Sequence, residues 1–310
     1  MAVADAWPAG SARGGWRGLF AFGESRTLSA FLLLAPAVLF FVVVFVIPVG
    51  LMIRYSFYQQ TSTGDLTAAA TLANYVRLAS VDLYRTVVMT TLRVSAWTTV
   101  IAMLLAYPLA LVMVRGHPLI GRALTVIVLA PLLINVVVRT YAWRVILANG
   151  ENGVLNWTLA HVGLGPVQLL YTEWAVIIGS VHVFLPMMVL PLSAALGKIN
   201  PAVEEAARTL GASSFSVFRR VTLPLSVPGL AVGATLVFSL TASSFVTPAL
   251  LGGNFAKMLG TLVEEQILTV FDWPFGAAIA TLLTVIVMIV NLGSVWLVER
   301  RFPSRASEAH

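Results

Sequence analysis

The residue types that carry catalysis are present but dispersed. Four histidines (His117, His161, His182 and His310) lie far apart in a chain of 310 residues that has no cysteine. Without a thiol there is no disulfide, no thiolate metal site and no cysteine nucleophile. No nucleophile, base or metal-ligand set gathers at a short spacing, so the sequence offers neither a catalytic centre nor a site for a metal or cofactor of its own. The G-x-x-x-x-G-K-[ST] phosphate loop is also missing. Gly197-Lys198 is followed by Ile199, and Leu192 stands where the first glycine is required. Work driven by ATP would need its ATP on a partner chain.

The densest chemical signal is KINPAVEEAARTLGASSFSVFRRVTLPLSVPG, residues 198–229. Asn200 suits an N-cap and Pro201 the first helical position. Glu204 and Glu205 follow near the positive end of the helix dipole. Val203, Ala206, Ala207 and Leu210 recur at helical spacing as one apolar stripe. Gly211 fits the left-handed position that closes a helix. Ser213 or Ser214 can cap a second short helix over Phe215–Val221, and Pro224 is expected to stop it. The spacing therefore predicts a small, rigid helix–turn–helix. Its small residues admit a close partner, and its charges of both signs fix register. The same pattern also suits a well-capped surface connector.

Composition says what must hold this segment. Only 10% of residues are charged, 59% are hydrophobic, and the mean hydropathy is +0.91. Soluble domains carry about 25% charged residues, so lipid must cover much of the surface. Six apolar stretches reach the roughly 20 residues needed to cross a bilayer. They are Ala30–Ile53, Thr86–Val114, Ala123–Leu147, Trp174–Gly197, Pro228–Leu250 and Phe275–Val298. This predicts an all-α polytopic membrane protein with tails at 1–28 and 301–310, a transmembrane domain at 29–300 with its core from about 85, and the loop 198–224 on one face. The first run is too long for a signal peptide and is read as an uncleaved span.

The net charge is +6, but the basic residues are spread thinly at span ends and form no nucleic-acid face. Lys and Arg collect on the cytoplasmic side of short loops. With the N-terminus inside, that side holds Arg13, Arg17, Arg26, Arg115, Arg122, Lys198, Arg208, Arg219, Arg220, Arg300, Arg301 and Arg305, twelve of 19. Both termini and the 198–224 loop are expected in the cytoplasm.

Glu205-Ala206-Ala207, Gly211, then Val221, Leu223 and Pro224 match the EAA…G…I-x-L-P signature of permease subunits of binding-protein-dependent ABC importers, with Val221 for the usual Ile. LANYVRL, VVRTYAWRVILANGENGVLN and GGNFAKMLGTLVEEQI…DWPFGAA extend the resemblance to spermidine/putrescine-type permeases over roughly 73–299. The resemblance implies the six-helix type I permease fold and a coupling helix that sits in a cleft of the ATPase. Glu205, Ala206, Ala207 and Gly211 would contact that ATPase, with Glu204, Arg208, Ala212, Leu223 and Pro224 alongside. It also implies an ATPase dimer, a second and usually different permease, an external solute-binding protein and a bacterial inner membrane. Polyamine cargo is the expectation, with another small organic solute as the alternative. A self-contained transporter or channel would leave the docking motif unexplained.

Candidates for the path are Tyr107, Tyr141, Phe184 and Phe245, whose rings could offer cation–π surfaces to a flexible cation, and Ser239 and Ser243, in a small-residue stripe that the resemblance implies lines the path. Gly229 and Gly233 form G-x-x-x-G, either packing or path. Arg93, Arg139 and Arg144 fall in the outer part of the spans, as anchors paired with Glu151 or Glu173 or as cargo contacts. His182 reads as a satisfied interior histidine, and Asn135 and Asn291 as interhelical hydrogen-bonders. No Asp or Glu lies within a span, while Asp82, Glu173, Glu264, Glu265 and Asp272 gather at the outer edge.

Overall fold

The computed structural model describes residues 26–61, 65–67, 69–150 and 153–301. Regular structure among them is helical, apart from one isolated bridge between Gln60 and Leu66. The two expected tails lie almost wholly outside this range. The chain divides into two compact units, Met1–Leu51 and Met52–His310. In the first, α1 (Arg26–Phe41) passes through a wide π turn at Val42–Val46 into α2 (Ile47–Tyr55), and Leu33–Tyr55 is long and apolar enough to cross a membrane.

The second unit is built on α4 (Asp82–Arg115), α8 (Glu173–Lys198), α11 (Leu223–Ser243) and α13 (Trp273–Arg301). α4 and α8 run side by side, α11 packs on both in the opposite direction, and α13 packs on α11. Small residues set these spacings. Ala102, Ala106 and Ala110 are fully buried in the cluster that holds Met188, Val189, Leu192 and Leu196 of α8. The G-x-x-x-G pair is packing. A Cβ on Gly229 would collide with Ala195 Cβ and stand 2.6 Å from the Pro191 carbonyl oxygen, and one on Gly233 would stand 2.7 Å from Met188 Sδ. Gly229→Val is therefore expected to cost about 1–3 kcal/mol by overpacking. A lower melting temperature of the detergent-solubilised chain would register it, and unchanged stability would mean the helices can separate there.

Two expected spans are broken. Ala123–Leu147 is not one helix but α5 (Pro118–Leu129), a 3-10 turn at Ala130–Leu133 and α6 (Val136–Ile146), bent by 102°. Pro131 has no N–H to continue the ladder, and Asn135 starts a new helix by accepting from Val137 N at 2.8 Å. Asn135 is thus an N-cap, not an interhelical bonder. The fifth span ends at Ser243 rather than Leu250. Ser244 turns extended, and Pro248–Gly252 forms a π turn that buries Pro248, Leu251 and Gly252. The following loop is not a loop throughout. α12 (Leu259–Glu264) sinks into the bundle, with Leu259, Gly260, Thr261 and Leu262 buried, and a π turn at Glu265–Thr269 leads back to the surface, where Leu268 is exposed.

The end of the bundle away from the 198–224 loop is tied by polar contacts. Asn74 of α3 (Ala73–Ser80) donates to the carbonyls of Ser56 and Tyr58. Arg77 pairs with Asp272 at 3.4 Å and lies 4.0 Å from the Phe275 ring centroid. Arg93 pairs with Glu173, as one of the two anticipated partners, whereas Glu151 lies outside the described residues. α7 (Val154–His161) is pinned by the buried Asn156, which donates to the Ala148 and Val167 carbonyls and accepts from Val167 N.

Candidate functional site

The segment between α8 and α11 folds as two short helices standing out from the bundle. α9 (Pro201–Thr209) begins where Asn200 Oδ1 accepts from Ala202 N at 3.0 Å. It closes with Gly211 at φ +84°, Gly211 N donating to Arg208 O and Ala212 N to Ala207 O. Those paired bonds satisfy carbonyls that the helix end would leave open. Ser213 Oγ then accepts from Ser216 N and starts α10 (Ser214–Val217).

Pro224 does not stop the second helix. α10 runs through a π turn at Phe218–Thr222 into α11, a continuous helical path from Ser214 to Ser243. The widened turn relieves the clash that a proline ring makes with the carbonyl four residues earlier. The hairpin is thereby one piece with a bundle helix.

Its inward and outward faces differ in chemistry. Glu204 is buried at 8% exposure, and its Oε1 accepts from Arg115 Nη2 at 3.3 Å and from Thr222 Oγ1 at 3.1 Å. Arg115, the last residue of α4, also donates to the carbonyls of Ile199 and Leu196 at the end of α8. A single carboxylate–guanidinium node thus joins the hairpin to three bundle helices. Val217 is buried beside it, and Phe218 meets the Tyr107 ring edge-on at 5.3 Å. Outward lie Glu205, Ala206, Arg208 and Gly211, with Ala207, Ala212, Leu223 and Pro224 half-buried. The stripe read from the sequence is not covered by this chain: Val203 is 47% and Leu210 89% exposed, and Phe215 adds a ring at 71%. Such a surface can accept a complementary cleft. The exposure of Phe215 beside Leu210 was not read from the motif spacing, although a large apolar residue four positions after the closing glycine was a visible signal.

A family model described as "Binding-protein-dependent transport system inner membrane component" matches residues 98–303. The chain is 37% identical over 246 residues to the spermidine/putrescine transport system permease protein PotB of Haemophilus influenzae, covering 79% of this chain and 85% of that protein. This decides the family. The chain belongs to the binding-protein-dependent inner membrane permeases. PotB of Salmonella typhimurium is 33% identical over 264 residues, 84% of this chain and 91% of that one. The fold matches a chain of a bacterial alginate ABC transporter solved with an alginate-pentasaccharide-bound periplasmic protein, at TM-score 0.75 and 21% identity over 90% of this chain and 96% of that chain.

In this permease the six path candidates separate. Tyr107 is buried and shares a 2.7 Å hydrogen bond with Ser226, so it packs α4 on α11. Phe184 packs against the same cluster. Ser239 Oγ accepts from Asn291 Nδ2 at 2.9 Å, which bears out Asn291 as an interhelical bonder and turns Ser239 into its partner. Tyr141 is half-exposed beside Arg144, and Arg144 donates to the Tyr171 hydroxyl and pairs with no acid among the described residues. Only Ser243 and Phe245 of the six line a common pocket. Arg139 Nε and Nη1 and His182 Nδ1 are buried with no hydrogen-bond partner among the described residues, so His182 is not the satisfied histidine that the sequence suggested.

Proposed function

We propose that this permease forms, with a second and different permease, the path of a polyamine importer in a bacterial inner membrane, with both termini and the 199–224 hairpin in the cytoplasm. Glu205, Ala206, Ala207, Arg208, Gly211 and Ala212 face a separate ATPase, with Leu223 and Pro224 carrying the hairpin into α11. Two ATPases hydrolyse ATP, and an external binding protein delivers the cargo. The transmembrane domain spans 29–300 between two cytoplasmic tails. The observation that carries the reading is the hairpin itself: a surface of small and apolar residues left uncovered by its own chain, rigidly capped and continuous with a bundle helix. Buried apolar surface gives affinity, and the flanking Glu205 and Arg208 give register. The spermidine/putrescine cargo named for the relatives supports the polyamine part.

Two measurements test it together. The tagged chain, solubilised in mild detergent, should retain an ATPase subunit and a second permease. Cells carrying the assembled system should take up spermidine or putrescine in an ATP-dependent manner. Recovery of the chain with no ATPase would sink the docking assignment, and ATP-driven uptake of an uncharged solute with no polyamine uptake would sink the cargo.

A further inference from the structure

Glu264, expected at the outer edge, opens onto a cleft that runs inward along α13. α12 and its π turn double back against α13, and Glu264 at the end of α12 lines a pocket of 420 Å³. The other walls are Ser243 and Phe245, where α11 ends, and Ala280, Leu283 and Thr284 of α13. Thr284 is eleven residues from the start of α13 at Trp273. At 1.5 Å per residue that wall reaches about 16 Å along the helix, well inside a span.

The neighbouring carboxylate, Glu265, is taken by Lys257 at 2.7 Å. Glu264 has no ion pair or hydrogen bond among the described residues. An unpaired carboxylate on a largely apolar cleft is costly and is kept where it meets a partner or serves a path. Nothing cationic lines the pocket. Ser243 and Thr284 already donate their hydroxyl protons to the carbonyls of Ser239 and Ala280, leaving oxygens that accept. The remaining lining is apolar, with the half-exposed Phe245 ring on one side. Every polar group offered is an acceptor. The matching ligand is an alkyl chain ending in a primary ammonium, which brings three donors, one positive charge and methylenes for the apolar walls.

We propose that the Glu264 pocket holds an alkylammonium end of the cargo during its passage. The proposal rests on the polyamine reading and deepens it by naming the group that one amine meets. A carboxylate that exchanges one ammonium for another lowers the barrier without trapping the solute, provided that binding stays weak enough to leave.

The absence of cysteine makes the pocket addressable. In the assembled transporter, Thr284→Cys gives this subunit a single thiol on the pocket wall, with Ser243→Cys as a second reporter on the opposite wall. A cationic methanethiosulfonate reagent should modify it about tenfold faster than an anionic one of similar size, from the nearby carboxylate. Glu264→Gln should erase that preference, and spermidine should slow the cationic reaction. In uptake, Glu264→Gln alone should raise the KM for spermidine about tenfold, as expected for a lost charge-assisted hydrogen bond. Equal rates with both reagents, no labelling at either reporter, or a preference that survives Glu264→Gln would overturn the site. If wild-type transporter takes up no polyamine but the Glu264-dependent preference is present, the cargo reading falls and the cation pocket stands. If it takes up polyamine without that preference, the pocket falls and the cargo reading stands.

Discussion

Gly211→Asp is expected to leave the chain inserted in the membrane and to remove the ATPase from it. The two halves of that result have separate causes. Within the chain the substitution is tolerable: a Cβ at Gly211 meets nothing within 4 Å. The φ of +84° costs an L-residue about 1–3 kcal/mol, and aspartate is among the side chains that visit this region most readily. Outside the chain the cost is larger. Gly211 lies on the exposed face between Ala207 and Ala212, where close approach needs the missing side chain. A carboxylate forced unpaired into a dry interface costs about 3–5 kcal/mol, more than a hundredfold in affinity. Co-purification of the ATPase should therefore collapse at unchanged membrane content, and import should collapse with it. Gly211→Asn, which keeps the backbone preference without the charge, should fall between the two. Normal import by Gly211→Asp would refute the docking role of the hairpin.

The hairpin was largely legible in the sequence because its rules are local. An N-cap at Asn200, a proline after it, a left-handed glycine at Gly211 and a cap at Ser213 each act within five residues, and each is found where the spacing put it. What was not legible depends on distant partners or on competing readings of one residue. Pro131 and Pro224 carry the same backbone defect. One sits at a break and the other inside a continuous helix, because a 3-10 turn and the Asn135 cap end the first while a π turn absorbs the second. The inward turn of Leu259–Glu264 was hidden by the charges of Lys257, Glu264 and Glu265, the two acids being among those expected at the outer edge. In the fold two of them neutralise each other, which lets the segment sink inward. Ser239 and Tyr107 looked like path residues because a hydroxyl on a span has the same sequence signature whether it meets cargo or another helix.

Glu204 shows the same limit and leads to the second large effect. Its sequence neighbour Glu205 is the motif residue, and the family resemblance implied that Glu204 lies alongside it on the docking face. Only the fold brings Glu204 against Arg115, 89 positions away, and turns it inward. The hairpin moves the bundle through what ties it there: the short link from α8, the continuous helix into α11, the Phe218–Tyr107 contact and the Glu204–Arg115–Thr222 node. Glu204→Ala should therefore preserve docking, since the outward residues are untouched, and preserve ATP hydrolysis by the docked ATPase. Import should fall by an order of magnitude or more, because the stroke loses its charged link to Arg115 at the end of α4. The pair is partly exposed, with side-chain exposures of 26% and 11%, so its loss should cost stability less than the full penalty for a buried ion pair. Arg115→Ala should give the same uncoupled state. The double variant should be no worse than either single one, a coupling of about 0.5–3 kcal/mol in a mutant cycle. Glu204→Gln, which still accepts from Thr222, should retain part of the import. Uptake measured against ATP consumed in proteoliposomes separates the outcomes. A Glu204→Ala transporter that loses its ATPase as Gly211→Asp does would place Glu204 back on the docking face, and one that imports at the normal ratio would show that the Glu204–Arg115 pair carries none of the stroke.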